Sequence, residues 1–336
     1  MHKLTRRQFV VGTGATLASV GILRKARAAE FTLKYCNNQP VTHPMNIRMA
    51  EAIEAIRKDS NGRVEIQAFP NNQLGGDTDV LAQLRAGAVQ LFHLSGLILA
   101  TLVPVASING VGFAFKGYSE VWRAIDGDLG KFVREAIAKA NLYALEKIWD
   151  NGFRQITSST RPILTAADLK GFKIRVPVSP MWTSMFTALG ASPVSINWNE
   201  VYSALQTRIA EGQENPLAII ETSKIYEVQK YLSMTSHMWD GFWVLANGDF
   251  WRKLPKDLQD TISHRINEAA DKQRADLEAL NNNLAKTLAG QGMDIRTPDT
   301  GSFRTQLRNA GYYKEWQGKY GNDAWTVLKN YASELG

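Results

Sequence analysis

The sequence has 336 residues, 44% hydrophobic and 21% charged, which is the composition of a globular protein with one large or two modest domains. Its formal charge of +7 would suit a nucleic-acid partner, but six of the 39 Lys and Arg residues and none of the 32 Asp and Glu residues precede residue 30. The remaining 33 basic and 32 acidic residues give +1, so no basic footprint for nucleic acid is left. No apolar run reaches the length of a membrane span.

The first segment has the features of an export signal. Two consecutive arginines, Arg6 and Arg7, precede the weakly hydrophobic stretch 9–23, which is too short to cross a membrane. Ala26-Arg27-Ala28 then forms a small-x-small cleavage site. We predict a twin-arginine signal peptide over residues 1–28, cleavage near Ala28/Ala29 and a periplasmic location. An ordinary Sec leader is the alternative.

After the leader, strand and helix patterns alternate. The predicted order is strand 31–35, helix from 43–44 to 60, strand 64–68, helix 77–86 and a buried strand 89–94. Asn38, His43 and Ser95 lie at predicted strand ends or loop starts, where α/β proteins form ligand sites.

The second part of the chain keeps this alternation. Helical patterns cover 117–139, 181–189, 199–206, 217–228 and 303–335, and strand patterns cover 142–149, 173–177, 192–196, 231–234 and 243–246. Pro255 begins a helix of about 33 residues, which is about 50 Å long at 1.5 Å per residue and exceeds one lobe.

These patterns predict an α/β fold, a two-lobe clam with mixed sheets and a long helix spanning both lobes. The predicted first lobe consists of residues 29–152 plus 241–279, and the second of residues 153–240 plus 280–336. A ligand would lie in the cleft, beyond the carboxyl ends of the strands.

Four motifs carry a family resemblance. They are Asp-Leu-Lys-Gly-x-Lys-Ile-Arg-Val-Pro (168–177), Leu-Gly-Ala-x-Pro (189–193), Glu-Val-Tyr-x-Ala-Leu-Gln-Thr (200–207) and Gly-Gln-Glu-Asn-Pro (212–216). In this order and spacing the chain resembles the solute-binding protein of tripartite ATP-independent periplasmic (TRAP) transporters, the C4-dicarboxylate-receptor-like family. The resemblance extends from about residue 31 to residue 330, and it implies that the two-lobe clam is of the periplasmic-binding-protein type.

The resemblance implies three polar ligand contacts in the second lobe and at the crossing between lobes. Arg175 matches the arginine that grips the ligand carboxylate, although its strand pattern alone also fits a solvated edge residue or an interdomain salt bridge. Arg154 matches a second cleft arginine, and a hinge salt bridge is the alternative. Asn215 matches a position that hydrogen-bonds the ligand, and it could also cap a helix beginning at Pro216.

Aromatic and acidic residues would set ligand specificity. Trp198 falls where the family often has a cleft aromatic, while Trp182 could face either the ligand or the second lobe. Trp239 and Asp240 lie in an interlobe segment. An aspartate there would repel a second carboxylate and accept a hydrogen bond from a hydroxyl. We therefore favour an aromatic, hydroxy or keto monocarboxylate over a C4-dicarboxylate, although all three tryptophans could belong to the core.

In the first lobe, Asn38 and Ser95 match cleft positions of the family. Ser95 replaces a carboxylate that some members have, which argues against an amine-rich or sialic-acid-like ligand. His43 is a further candidate beside the cleft.

Enzyme signatures are missing from the sequence, which contains no Gly-x-Ser-x-Gly, His-Glu-x-x-His or phosphate-binding glycine loop. A single cysteine, Cys36, can form neither an internal disulfide nor a cysteine metal site. We expect no cofactor and no metal. The predicted protein is a monomeric receptor that delivers an organic acid to the small and large TRAP membrane subunits. An exported enzyme and a ligand receptor for a sensor kinase are the alternatives.

Overall fold

The computed structural model describes residues 28–332 and residue 335. The predicted signal peptide, residues 1–28, therefore lies outside the described residues except for Ala28, and the export route stays a prediction.

One mixed sheet runs through the molecule. Its strand order is β2-β1-β3-β10-β5-β8-β6-β7, with β4 paired to β10 and β9 paired to β5 and β11. In the described residues the strands are β1 (Phe31–Cys36), β2 (Val64–Phe69), β3 (Leu91–Ser95), β4 (Leu142–Ala144), β5 (Trp149–Ser158), β6 (Lys173–Val176), β7 (Ser192–Ser195), β8 (Gly212–Pro216), β9 (Tyr231–Ser233), β10 (Trp239–Asn247) and β11 (Asp294–Arg296).

Helices cover both faces of the sheet. They are α1 (Pro44–Asp59), α2 (Asp77–Ala86), α3 (Gly96–Leu99), α4 (Tyr118–Ile125), α5 (Asp128–Lys139), α6 (Pro180–Ala188), α7 (Val201–Gln206), α8 (Leu217–Thr222), α9 (Gly248–Lys253), α10 (Lys256–Gly290), α11 (Thr300–Asn309), α12 (Tyr312–Tyr320) and α13 (Asn322–Lys329). Short 3-10 turns occupy 104–110, 166–169, 198–200 and 225–227.

The first βαβ unit follows from its sequence pattern. Leu33 and Tyr35 of β1 are buried while Thr32 and Lys34 are exposed, as period-two alternation predicts. Helix α1 has Pro44 at its first position, where a missing N–H costs nothing. Strand β1 pairs in parallel with both β2 and β3, so their carboxyl ends share one edge of the sheet.

Strands β5 and β10 join two lobes. The first residues of β5 pair with β10, whose later residues pair with β3 and β4, while the last residues of β5 pair with β8 and β9. We call the part around β1–β4 the first lobe and the part around β6–β9 and β11 the second lobe. Gly152 lies at the crossing with φ 117°, a backbone conformation that residues other than glycine rarely adopt.

Helix α10 confirms the predicted long helix and begins one residue after Pro255, which is its N-cap. With 35 residues it is about 52 Å long. Ile262 and Ile266 pack in the core beneath α1 and β1, whereas Leu284 and Leu288 pack in the core of the second lobe. The helix therefore crosses both lobes.

The tail forms three helices in place of one long helical stretch. The Trp316 indole donates to Ser184 Oγ of α6 at 3.0 Å, and the hydroxyls of Tyr320 and Ser107 lie 2.8 Å apart. The tail thus contacts both sides of the lobe crossing. The exact lobe boundaries stay a prediction.

Three local predictions were wrong in detail. The helical stretch 117–139 is broken into α4 and α5 at residues 126–127, and the strand 142–149 ends at Ala144 before β5 begins. The helix predicted over 217–228 ends at Thr222, since Lys224 is left-handed at φ 55°. Its N-cap is Pro216, so Asn215 is a strand residue and no helix cap.

Candidate functional site

A cavity of about 30 Å³, counted as the space open to the centre of a water molecule, lies between the lobes at the carboxyl ends of β1, β3, β6 and β8. This is where an open α/β sheet places ligands. Its walls come from both lobes and from the two crossing strands. The lining residues are Asn38, Gln39, Asp77, Ser95, Ile98, Asn151, Arg154, Arg175, Pro177, Trp182, Trp198, Asn215, Ile219, Asp240 and Phe242.

Arg175 extends from β6 into this cavity and is 2% exposed. Its Nε and Nη2 donate to the Ile196 carbonyl at 2.9 and 2.6 Å, which fixes the guanidinium plane. Nη1 has no hydrogen-bond partner within the described part of the chain. Burial lowers the pKa of Arg175 to about 9. The end of the guanidinium, formed by Nη1 and the second Nη2 hydrogen, is therefore available to an anion.

Arg154 has a different set of partners. Its guanidinium pairs with the buried carboxylate of Glu214, with Nη2 2.8 Å from Oε1, and Nη1 lies 3.2 Å from Asp240 Oδ2. It also lies 4.5 Å from the Trp182 ring centroid. Burial would raise the pKa of Glu214, but Arg154 and a hydrogen bond with His237 hold it below its usual value. Arg154 therefore forms the salt bridge that was the alternative expectation, and it also lines the cavity. Glu214 and Asp240 balance its positive charge.

Asp240 connects the crossing strands to the first lobe. Its Oδ1 accepts from Ser95 Oγ at 2.7 Å, and its Oδ2 accepts from Asn151 Nδ2 at 2.8 Å and from Arg154. Burial raises the pKa of Asp240 despite the nearby charge of Arg154. Asp240 and Ser95 both line the cavity, and their contact with a ligand stays a prediction.

Asp77 is a lining residue that the sequence did not reveal. The acid pair Asp77/Asp79 suggests charges that stabilise a helix start, and Asp79 indeed accepts from Gly76 N at 3.3 Å. Asp77, the first residue of α2, is instead buried in the cavity wall, and both of its oxygens accept from Asn38 Nδ2 at 3.0 Å. Burial raises the pKa of Asp77 to about 6. Helical spacing alone cannot tell which acid of such a pair faces a cleft.

The aromatic and amide candidates divide between wall and core. Asn215 lines the cavity from β8, where its amide donates to Gln213. Trp198 is half-buried, and the Arg175 guanidinium lies 5.5 Å from its ring centroid. From the sequence, Trp182 could face either the ligand or the second lobe. In the structure it is fully buried and lines the cavity.

Two candidates lie away from the cavity. The Trp239 indole is buried among core residues, donates to Asp150 Oδ1 at 2.8 Å and packs edge-on against Trp122. His43 caps α1, where its Nδ1 accepts from Met45 N at 3.2 Å, and burial lowers its pKa to about 4. Both side chains serve the internal structure, so we leave them out of the ligand contacts.

Three buried polar atoms of the cavity wall have no hydrogen-bond partner within the described residues. They are the acceptors Gln39 Oε1 and Asn151 Oδ1 and the donor Trp182 Nε1. Gln39 and Asn151 use their amide nitrogens on Asn38 and Asp240, which fixes the orientation of both oxygens. Because unpaired buried polar groups are costly, these three atoms are candidates for hydrogen bonds with a ligand.

Comparisons with known proteins place the chain in a family. Residues 37–317 match the family model of bacterial extracellular solute-binding proteins, family 7 (DctP), and the chain belongs to this family. It is 32% identical over 269 residues to the sialic acid-binding periplasmic protein SiaP of Vibrio cholerae, covering 80% of this chain and 83% of that protein. It spans only 50% of an uncharacterised protein of Sinorhizobium fredii, with 34% identity over 81% of this chain.

Solved structures of the same kind share the fold. A TRAP periplasmic solute-binding protein of Sulfurospirillum deleyianum with bound succinate gives a TM-score of 0.84 at 27% identity, covering 92% of this chain and 100% of that chain. One from Roseobacter denitrificans with bound L-galactonate gives 0.84 at 26% identity, covering 90% and 99%. The two-lobe α/β fold is thereby confirmed.

The family and these structural neighbours are solute-binding receptors and not enzymes. Within residues 28–332, no group of His, Cys, Asp and Glu side chains is placed to hold a metal ion. In the same part of the chain no helix is both long and apolar enough to cross a membrane.

Proposed function

We propose that this chain is the periplasmic receptor of a TRAP transporter, and that it binds a small hydroxy or keto monocarboxylate in the interlobe cavity. The observation that carries the proposal is the buried Arg175, held in plane by Ile196 with one end of its guanidinium directed at the cavity. Charge-assisted hydrogen bonds to a carboxylate contribute about 1.5–3 kcal/mol each.

The rest of the wall supports a single carboxylate with hydroxyl or keto groups. Asp240 would repel a second carboxylate, and the charge of Arg154 is already balanced by Glu214 and Asp240. The free oxygens of Gln39 and Asn151 suit hydroxyl donors. The Roseobacter neighbour with L-galactonate binds a ligand of this class, whereas the Sulfurospirillum neighbour with succinate represents the dicarboxylate alternative.

A thermal-shift screen of organic acids on the mature chain tests the ligand class. L-Galactonate, D-gluconate and D-erythronate represent hydroxy monocarboxylates, an aromatic acid represents the aromatic class, and succinate and malate represent C4-dicarboxylates. We expect the hydroxy monocarboxylates to stabilise the protein most, with dissociation constants of about 10 nM to 10 μM. A dicarboxylate that binds most tightly would reassign the ligand class.

The role of Arg175 has its own test. Arg175→Lys keeps the charge but loses the planar donor set, so the affinity for the best acid of the screen should fall at least about tenfold in calorimetry. Arg85→Lys, the same change at an exposed position of α2, is the matched control and should bind as the unaltered protein does. Equal affinities of the two variants would remove Arg175 from the site.

Delivery to membrane subunits is the remaining part of the proposal. Neighbouring genes for a small and a large TRAP permease subunit would support transport, whereas a neighbouring sensor kinase would support a signalling receptor. Uptake of the bound acid by cells, lost on deletion of this gene and restored by its return, is the direct measurement.

A further inference from the structure

Asp77 is a buried carboxylate of the cavity wall without an ion-pair partner in the described residues. Its two oxygens accept from the neutral amide of Asn38. The charged groups that face it from other elements are Arg175 on β6 and Asp240 on β10, and of these only Arg175 stabilises its negative charge. Arg154 is engaged with Glu214 and Asp240.

The charges around the cavity are therefore unfavourable for an additional anion. With all groups ionised, Arg154 and Arg175 face three carboxylates, those of Asp77, Asp240 and Glu214, and a bound organic acid adds a fourth negative charge. Like charges in a site of low dielectric constant are costly, and such sites commonly retain a proton.

A bound carboxylate makes the ionised form of Asp77 less favourable. A carboxylate on Arg175 neutralises the one cation that favours ionised Asp77 and places a new negative charge nearby. Burial in the cavity wall already raises the pKa of Asp77 to about 6. A bound acid would raise this pKa further, since it adds a like charge nearby.

We propose that Asp77 takes up a proton when an organic acid binds to Arg175, so that the closed cavity holds the acid anion and a proton together. This inference rests on the proposed function, because it requires a carboxylate at Arg175. The balance is simple: one proton from the solvent adds to the Asp77 carboxylate, and no other bond forms or breaks. Protonated Asp77 then offers a hydroxyl donor to the cavity.

The pH dependence has a defined sign. A group whose pKa is higher in the bound state takes up a proton on binding, so that lower pH favours the bound state. The association constant should therefore fall as the pH rises from about 6 to 8, by up to about tenfold per pH unit for one linked proton. The organic acid itself stays ionised throughout this range.

Calorimetry in buffers of different ionisation enthalpy measures the linked proton directly. The full mature chain is titrated with L-galactonate, D-gluconate and succinate at pH 7 in phosphate and in Tris. For an acid that binds, we expect the enthalpy to depend on the buffer in the direction of proton uptake, by a large fraction of one proton per ligand. This measurement needs no variant, so a folding defect cannot obscure it.

Two variants assign the proton to its residue. Asp77→Asn resembles the protonated carboxyl and should abolish both the proton uptake and the fall of affinity between pH 6 and pH 8. Asp79→Asn, the same change at the exposed acid two residues later, should retain both. Proton uptake that persists in Asp77→Asn would overturn the assignment.

The possible failures are distinguishable. Binding of an acid by the unaltered protein without proton uptake overturns the linkage and leaves the proposed function standing. Failure of every organic acid in the screen to bind overturns the proposed function, and the linkage falls with it.

Discussion

The two arginines of the cavity differ in their partners more than in their position. Arg154 lies between Glu214 and Asp240 with its charge balanced, whereas Arg175 has a backbone carbonyl as its sole hydrogen-bond partner in the described chain. A carbonyl fixes the guanidinium without neutralising it. Arg175 is therefore a preorganised cation, and preorganisation reduces the entropy lost on binding.

The tryptophans can be separated by experiment into wall and core. Trp239→Phe removes the indole donor to Asp150 and leaves a buried carboxylate with one hydrogen bond fewer. We expect the free energy of unfolding to fall by about 1–3 kcal/mol in urea titrations. Ligand affinity should remain unchanged, since Trp239 does not line the cavity.

Trp198 provides the opposite comparison. Trp198→Leu removes the ring beside the Arg175 guanidinium, a contact of about 0.5–1 kcal/mol at a partly exposed site. Affinity should fall by about two- to fivefold in calorimetry, with little change in the urea midpoint. The reverse pattern, an affinity loss in Trp239→Phe and none in Trp198→Leu, would exchange the two assignments.

At the residue scale, the sequence predicted those cavity residues that belong to recognisable motifs. Arg175 and Asn215 were identified through the family motifs that contain them, since local pattern alone also fitted a solvated edge residue at Arg175 and a helix cap at Asn215. Asp77 and Trp182 depend on how a helix is rotated against the other lobe, and no local pattern contains that rotation. The sequence left Trp239 open between cleft and core, because the residue type alone does not show whether an indole meets a ligand or a buried aspartate.

At the scale of elements, α10 holds the point where the chain crosses between lobes. Gln273 is fully buried, and its side-chain amide bonds both backbone groups of Asp150 at the start of β5, with Oε1 accepting at 2.9 Å and Nε2 donating at 2.8 Å. The Gln273 side chain thus makes the two hydrogen bonds to the backbone of Asp150 that a neighbouring strand would otherwise make. This contact fixes the position of β5 relative to the long helix.

Gln273→Leu changes the size of the side chain little but removes its hydrogen bonds, and we expect it to destabilise the protein strongly. It leaves a buried N–H and a buried C=O of Asp150 without partners, at about 1–3 kcal/mol each. We expect the free energy of unfolding to fall by about 2–5 kcal/mol and hydrogen exchange at Asp150 to accelerate.

Lys272→Leu is the matched control for this helix position. Lys272 is exposed, and its ion-pair partner among the described residues is Glu268 one helical turn away, a contact of about 0.3–0.5 kcal/mol. A loss of stability in Gln273→Leu no larger than in Lys272→Leu would show that the crossing strand does not depend on Gln273.

Helix α10 also shows which features of an element can be predicted from the sequence. Its length and start were predictable because an apolar repeat continues for many turns after Pro255. Short elements were less predictable. The break between α4 and α5 occurs at Asp126-Gly127, a dipeptide typical of turns that the prediction of one continuous helix overlooked. Contacts of Asp126 with Arg274 of α10 also hold the turn, and these long-range contacts are not visible in the sequence.

At the scale of the whole molecule, the structure is a closed form. The second lobe reaches the first across the cavity mouth, where Asn197 Nδ2 donates to Thr78 Oγ1 at 3.1 Å. Every polar residue named in the cavity wall except Trp198 is buried. We expect a ligand to enter when the lobes separate, so that binding and closure form one coupled equilibrium.

Gly76 gives a means of shifting that equilibrium. It precedes α2 with φ −67°, a conformation open to any residue, and a Cβ there would lie 3.2 Å from Asn199 Oδ1 and 3.3 Å from Asn197 Cγ of the second lobe. The crowding exists only when the lobes meet. Gly76→Val should therefore disfavour the closed form by about 1–3 kcal/mol, the usual cost of overpacking.

This shift has a measurable consequence for binding and shape. Affinity in Gly76→Val should fall about five- to 150-fold, because a smaller fraction of the receptor can close on the acid. Gly117→Val is the matched control, since a Cβ at Gly117 meets nothing within 4 Å and the backbone is extended. In small-angle scattering the control should contract on addition of saturating acid, whereas Gly76→Val should contract less. Equal contraction and equal affinity in the two variants would mean that the lobes do not meet at Gly76 when ligand is bound.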